Sequence, residues 1–212
     1  MTFGFELLCV IIICRYMTNA FEMLRVRMRS IWPWLGLLLV LVATAYQLRR
    51  QGRLWLCACG RLQLWTSDVW SADNSQHLAD PYSFTHLLHG FVFCALLAWG
   101  VPRLSLAWRL WLAVAAEALW EIVENSEFVI RRYREATAAL GYQGDTVVNS
   151  LGDILACGLG FVLAQQLGFR RALAMFLIIE AVLLVWIRDS LLLNVLMLLS
   201  PIEEIKMWQT GH

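Results

Sequence analysis

Two stretches of the sequence contain no charged residue over the length that a helix needs to cross a membrane. Ser30 to Leu48 reads SIWPWLGLLLVLVATAYQL and is followed by Arg49-Arg50. Pro81 to Pro102 also contains no Asp, Glu, Lys or Arg. A helix crosses the hydrocarbon layer with about 20 predominantly apolar residues. Both stretches are therefore predicted to be transmembrane helices, the second beginning near Phe84.

Three further apolar stretches contain between one and five charged residues each. They are Leu104 to Val129, Asp145 to Leu167 and Ala172 to Ile187. The chain is 60% hydrophobic and 16% charged, well above the roughly 45–50% apolar content of soluble domains. The sequence thus predicts an all-α, polytopic membrane helix bundle of about five transmembrane helices. Ser190 to Ser200 is too short for a further span, and is predicted to lie in the interface or to extend the fifth helix.

The ends and the connections complete the predicted organisation. Residues 1–28 are interpreted as an N-terminal extension, with Met28 as an alternative start, and residues 29–212 as a single membrane-embedded helical domain. Phe3 to Cys14 is short for a span. Two sizeable loops are predicted, Arg49 to Ser83 and Ile130 to Gly144. Lys and Arg are nearly balanced between the two sides, so the positive-inside rule does not choose an orientation.

Polar side chains recur at helical spacing inside the apolar stretches. In alternating spans these residues reach the same end of the bundle, and Glu117, Glu121 and Glu124 fall within about 60° of one another on one helical face. The sequence predicts that they form a one-sided pocket reaching into the membrane. The predicted pocket residues are His86, His89, Glu117, Glu121, Glu124, Asn149 and Asp153.

These residue types suit two kinds of chemistry. Imidazole and carboxylate ligands favour a divalent metal such as Zn, Mn or Fe, and a histidine beside a buried carboxylate can also transfer a proton near neutral pH. A charged group at mid-membrane costs about 2.5–3.5 kcal/mol, so the set must be shallow, protonated, paired or bound to a cation. We predict His86, His89 and Glu121 as metal ligands. The other pocket residues are predicted to be catalytic, namely Glu117, Glu124, Asn149 and Asp153.

Two other sequence patterns have simpler interpretations. Gly152, Ala156, Gly160 and Ala164 recur every four residues, which is typical of helices that pack closely in lipid. Cys57 and Cys59 could bind a metal or respond to redox conditions, but their spacing favours two incidental thiols in a loop. The net charge of +1 gives no basis for nucleic-acid binding. Membrane lipids are the predicted partners.

The ordered motifs resemble one uncharacterised family of multi-pass inner-membrane proteins from alphaproteobacteria. The resemblance covers roughly Ile31 to Gln209 and implies a bacterial inner membrane, without implying an activity. Its motifs are CACGRLQLW, SQHLADPYSFTHLLHGF, EALWEIVENS, RYREAT, GDTVVNSLGD and RDSLLLNVLML with PIEEIKMWQ. The order of polar residues is also similar to that of the VanZ-like membrane proteins, which are tied to the cell envelope. The matching residues are Asp80, His86, Glu117, Asp145, Asn149, Gly158 and Gly160.

Three functions are compatible with the sequence. The leading hypothesis is a membrane-embedded, metal-dependent enzyme that acts on a lipid or lipid-linked envelope substrate. The first alternative is a proton-coupled carrier, although no inverted repeat or pair of interrupted helices supports it. The second alternative is a non-catalytic envelope protein in which the polar cluster only specifies helix packing.

Overall fold

The computed structural model describes residues 31–137 and 141–211, which form eight helices and no strand. The all-α class predicted from the sequence is confirmed for these residues. In chain order the helices are α1 (Ile31–Arg50), α2 (Ser83–Gly100), α3 (Leu106–Glu124), α4 (Glu127–Ala136), α5 (Val147–Leu167), α6 (Phe169–Trp186), α7 (Leu191–Leu199) and α8 (Glu203–Thr210). The predicted extension at residues 1–28, with its Phe3 to Cys14 segment, lies outside the described residues.

Three of the described helices, α1, α2 and α5, are long and apolar enough to cross a membrane. Helices α6 and α7 meet at a bend of 70° and together would make a fourth, broken span. Helix α3 contains Arg109 and three glutamates. It is therefore too polar to be counted as a membrane span from its composition alone. The chain therefore has the character of a membrane protein, and the count of five spans stays a prediction.

Helix α5 lies at the centre of the bundle and packs against α2, α3 and α6. Its closest approach is to α2, where glycines on both helices bring the backbones together. A Cβ atom at Gly160 would collide with the carbonyl oxygen of Leu87, and one at Gly90 with the carbonyl oxygen of Cys157. Gly152 makes a similar approach to the Leu78 carbonyl. The stripe therefore allows close backbone contacts, as its spacing predicted, with α2 at Gly160 and with the loop before α2 at Gly152.

Helix α1 packs along one side of α3 and α5. Leu37, Val40 and Leu41 contact the core formed by Val114 and Ile154. Most of α1 remains exposed, and only 17% of its apolar 18-residue stretch is buried. In a membrane protein such an apolar, exposed surface faces lipid.

Helix α4 lies where a loop was predicted from Ile130 to Gly144, so that prediction is wrong over its first half. The side chain of Ser126 accepts a hydrogen bond from the backbone N–H of Val129 and so caps the helix. Val129, Ile130 and Tyr133 are buried on one face. The polar sequence obscured an amphipathic helix whose apolar positions recur three and four residues apart.

The bend between α6 and α7 is held by a buried carboxylate. Glu180 of α6 accepts hydrogen bonds from the backbone N–H groups of Leu191 at 2.8 Å and Leu192 at 3.1 Å. The first N–H groups of any helix lack acceptors within that helix. The carboxylate oxygens of Glu180 act as the acceptors for two of these N–H groups in α7. Ser190 to Ser200 therefore does not extend the fifth helix without a break, because Leu191–Leu199 forms a separate helix fixed to α6. Its position in the interface stays a prediction.

Removing this carboxylate is expected to destabilise the protein. In Glu180→Ala the two N–H groups lose a charged acceptor, which costs on the order of 1.5–3 kcal/mol. Glu180→Gln retains one acceptor oxygen and should lose about half as much. The free energy of unfolding, measured in mixed detergent micelles, checks this ranking. Equal stability of Glu180→Ala and the wild type would contradict the capping role.

The loop between α1 and α2 covers the N-terminal end of α5. The N–H groups of Val147 and Val148 donate to the carbonyl oxygens of Leu54 and Trp55, at 2.8 and 3.2 Å. The same loop contains a disulfide between Cys57 and Cys59. The interpretation of these two residues as incidental thiols is therefore wrong.

Candidate functional site

Glu117 lies between two histidines at the end of the bundle covered by this loop. One of its oxygens is 2.6 Å from Nδ1 of His86 and 3.0 Å from Nδ1 of His89. The second oxygen is also 3.0 Å from Nδ1 of His89. A carboxylate can only accept hydrogen bonds, so both imidazoles donate from Nδ1 and present Nε2 as the remaining nitrogen. Glu117 is fully buried and sets the orientation of both rings.

Glu121 lies one turn further along α3 and is also fully buried. Its Oε1 is 3.4 Å from Nδ1 of His86. Neither of its carboxylate oxygens has a hydrogen-bond partner among the described residues. Buried polar atoms are nearly always paired, so this carboxyl group requires a proton, a water molecule or a cation.

Glu124 connects the cluster to a set of polar groups from α4 and α7. The hydroxyl group of Tyr133 is 2.8 Å from Oε1 of Glu124 and 3.1 Å from Oδ1 of Asn194. The other oxygen of Glu124 has no partner among the described residues. The amide of Asn194 donates to Asp189, which also accepts from the hydroxyl group of Tyr82.

Asp153 approaches the cluster from α5. Its Oδ2 is 3.9 Å from Nε2 of His86, and its Oδ1 accepts a hydrogen bond of 2.6 Å from the hydroxyl group of Ser83. Asn149, one turn earlier on α5, donates instead to Asp80 at 3.3 Å. Asn149 therefore supports the loop that ends at α2, and it is not among the described residues that line the cavity.

These side chains surround a cavity of about 70 Å³. Among the described residues that line it there is no Lys or Arg, and its charged groups are carboxylates and histidines. The pocket residues His86, His89, Glu124 and Asp153 line the cavity, whereas Glu117 and Glu121 are not among its lining residues. Residues of the α1–α2 loop and of α7 complete the wall, including Asn74, Ser75, Leu191, Asn194 and Val195.

Two acidic residues outside the apolar helices contribute to the same end. Burial raises the pKa of the Asp80 carboxyl group above its ordinary value, and hydrogen bonds from the backbone of Tyr82 and Ser75 oppose this shift. Burial likewise raises the pKa of Asp145, against hydrogen bonds from Asn125 and Tyr142. Burial therefore disfavours the charged form of both carboxyl groups, and the hydrogen bonds that they accept favour it.

Two combinations of donor atoms within this cluster are compact enough for a metal ion. In each set the ligand atoms lie within 4.8 Å of one another. The first is His86, His89 and Glu117, and the second is His86, Glu121 and Glu124. In the first set the carboxylate of Glu117 already accepts hydrogen bonds from both imidazoles. In the second set three carboxylate oxygens, two of Glu121 and one of Glu124, have no hydrogen-bond partner among the described residues. The second set therefore has the free electron pairs that a cation requires.

Sequence reasoning missed the tyrosines of the site. Tyr82, Tyr133 and Tyr142 bring their hydroxyl groups to Asp189, Glu124 and Asp145, at 3.3, 2.8 and 2.9 Å. Tyr82 lies three residues before Thr85, where the sequence THLLH begins, and Tyr133 and Tyr142 lie in the region predicted as a loop. A periodicity search over that region would have found Tyr133 on the buried face of α4.

The fold and the cluster define a class, an all-helical protein with membrane-length apolar helices and a buried histidine–carboxylate site. The chain belongs to the DUF2585 family, described as "Protein of unknown function", whose model matches residues 48–211. This confirms the family resemblance, whereas the similarity to VanZ-like proteins stays a prediction.

Curated relatives from alphaproteobacteria cover most of the chain. A UPF0314 protein of Paracoccus denitrificans is 48% identical over 179 residues, which are 84% of this chain and 93% of that protein. UPF0314 proteins of Brucella anthropi and Sphingopyxis alaskensis are each 44% identical over 84% of this chain, and cover 91% and 95% of their own lengths. No solved structure matches the chain.

Proposed function

We propose that the protein is a multi-pass protein of the bacterial inner membrane that crosses it with five spans, α1, α2, α3, α5 and α6 with α7. Its polar cluster forms a one-sided pocket and binds a divalent metal. The protein is a membrane-embedded enzyme that acts on a lipid or lipid-linked envelope substrate. The family and the apolar helices support the membrane setting, and the cluster supports the chemistry.

The observation that carries this proposal is the excess of buried carboxylates around one imidazole. Glu117, Glu121 and Asp153 each have an oxygen within 4 Å of the ring of His86. Two histidines cannot neutralise the acidic groups of this cluster, and each uncompensated charge costs about 2.5–3.5 kcal/mol at mid-membrane. A divalent cation would balance the charge and would occupy the unpartnered oxygens of Glu121 and Glu124.

The positions of the side chains suggest a division of roles. His86, Glu121 and Glu124 would bind the metal, with His89 beside them in the cavity. Glu117 would fix both imidazoles through Nδ1, as carboxylates commonly do for metal-binding histidines. Asp153, which lines the cavity and already accepts from Ser83, would act as the general base. The metal would polarise a substrate oxygen or activate a water molecule.

The proposal is tested by elemental analysis of detergent-purified protein after reconstitution with Zn, Mn or Fe. We expect about one metal ion per chain in the wild type. Glu121→Gln keeps the shape of the side chain but removes its charge, and should weaken binding by on the order of 10- to 100-fold.

Glu135→Gln is the matched control, because Glu135 is an exposed glutamate on α4 outside the cluster. It should bind metal as the wild type does. Absence of bound metal from the wild type after all three reconstitutions would refute the metal-dependent enzyme. A folded Glu121→Gln variant with unchanged metal affinity would remove Glu121 from the ligand set.

A proton-coupled carrier is the second candidate, and one observation favours it. Glu124, Tyr133, Asn194, Asp189 and Tyr82 form a connected series of hydrogen-bonding groups. Such a series could relay protons between the cluster and the other polar groups of the cavity. Proton flux into proteoliposomes that depends on Glu124 but not on added metal would favour the carrier over the enzyme.

A further inference from the structure

The disulfide between Cys57 and Cys59 closes a ring with a single residue between its cysteines. The stabilisation that a disulfide provides grows with the length of the loop it closes. A link this short therefore contributes little to stability. Cys59 is exposed to solvent, whereas Cys57 is only 8% exposed. An incoming thiol can therefore reach Cys59, whereas Cys57 is shielded from it.

A buried histidine lies beside the two sulfurs. One ring nitrogen of His77 is within 4.8 Å of the sulfur atoms of both Cys57 and Cys59. Nδ1 of His77 accepts a hydrogen bond of 3.3 Å from the backbone N–H of Gln63, so the ring proton is on Nε2. His77 is fully buried, and its Nε2 has no hydrogen-bond partner among the described residues.

The tautomer of His77 suits a hydrogen bond to a cysteine sulfur better than it suits coordination of a metal ion. A neutral imidazole that accepts at Nδ1 has no free electron pair on Nε2 for a metal ion. Asp73 lies 3.7 Å from Nε2, beyond hydrogen-bond distance. Nε2–H is therefore available as a donor for negative charge that develops nearby. The backbone N–H of Cys59 is a second donor, 3.1 Å from the sulfur of Cys57.

We propose that Cys57, Cys59 and His77 form a thiol–disulfide exchange site whose substrate is a dithiol. The thiolate of the dithiol attacks the sulfur of Cys59, and the Cys57–Cys59 bond breaks with its electron pair on Cys57. The Cys59 N–H and the His77 ring stabilise the Cys57 thiolate, which then takes a proton. The second thiol of the substrate then attacks the substrate sulfur that is bonded to Cys59. This forms the substrate disulfide and releases Cys59 as a thiol.

The net reaction transfers two electrons and two protons. The substrate dithiol becomes a disulfide, and Cys57 and Cys59 become thiols. The proposal does not depend on the metal site, because neither cysteine nor His77 belongs to the His86 cluster.

The experiment treats the full-length protein in detergent with excess dithiothreitol, quenches it in acid and labels free thiols with a maleimide. Mass spectrometry of the peptide containing residues 57–59 follows the reaction. We expect no label before reduction and two labels after it. His77→Ala should slow reduction about tenfold, because the leaving thiolate loses a hydrogen-bond donor. His77→Gln, which keeps an N–H donor, should recover most of the rate.

Three results would overturn the proposal. Two labels before reduction, in protein purified without reductant, would mean that the cysteines are not joined. A pair that resists dithiothreitol while the chain is folded would be a static cross-link. Equal reduction rates in the wild type and a folded His77→Ala variant would exclude His77 from the site.

Discussion

Replacing both His86 and His89 is expected to reduce the bound divalent metal from about one ion per chain to below about a tenth. His86 belongs to both compact donor sets, and His89 to one of them. The double alanine variant also leaves Glu117 buried without its two hydrogen bonds. Breaking a buried pair in this way typically costs about 3–5 kcal/mol, so loss of metal in this variant could follow from loss of the fold.

A second double variant separates these effects. His86→Gln with His89→Gln retains N–H donors for Glu117 but removes both ring nitrogens that could bind a metal. We expect this variant to elute as a monodisperse, helical protein and to contain no metal. Elemental analysis of the two variants beside the wild type makes the comparison. Full metal occupancy in the folded glutamine variant would refute the ligand role of both histidines.

Gly160→Ala is expected to lower the free energy of unfolding by about 3 kcal/mol or more. The added methyl group would collide with the backbone carbonyl of Leu87. Helices α2 and α5 would then have to move apart. Overpacking of this kind costs about 1–3 kcal/mol even where side chains can yield, and a backbone carbonyl cannot rotate away. The loss can be measured by unfolding in mixed micelles.

Gly158→Ala on the same helix is the matched control. Its Cβ would have the side chain of Val114 as its nearest neighbour, at an ordinary contact distance of 3.6 Å. Alanine also favours the helix over glycine by up to about 1 kcal/mol. The control should therefore be as stable as the wild type or slightly more stable. Similar stabilities for the alanine variants at 158 and 160 would contradict the close approach of α2 and α5.

The sequence was most informative where one physical rule acted alone. Runs without charge predicted α1 and α2, and the recurrence of small residues every four positions from Gly152 to Ala164 predicted close packing. The spacing of Glu117, Glu121 and Glu124 placed them on one face of α3, and all three are buried in the structure. These patterns depend only on helical geometry and on the cost of charge in an apolar medium.

Other features depended on contacts between segments distant in sequence. The role of Glu180 does not follow from its own helix, because its partners, the first N–H groups of α7, come after a bend. Asn149 is predicted to be catalytic from its spacing, and its hydrogen bond to Asp80 could not be read from that spacing. The position of Glu117 between two imidazoles became clear only from the distances. Roles of this kind follow from tertiary packing, which spacing along a single helix does not determine.

The α1–α2 loop has a topological consequence. It contributes Asn74 and Ser75 to the cavity wall and also contains the exposed residue Cys59. The part of the cavity wall that this loop forms and the sulfur of Cys59 therefore lie on the same side of the membrane. Labelling of Cys59 in intact cells by a membrane-impermeant maleimide, after mild reduction, would report a periplasmic cavity. Labelling only after lysis would report a cytoplasmic one, and either result fixes the side of the membrane on which the α1–α2 loop lies.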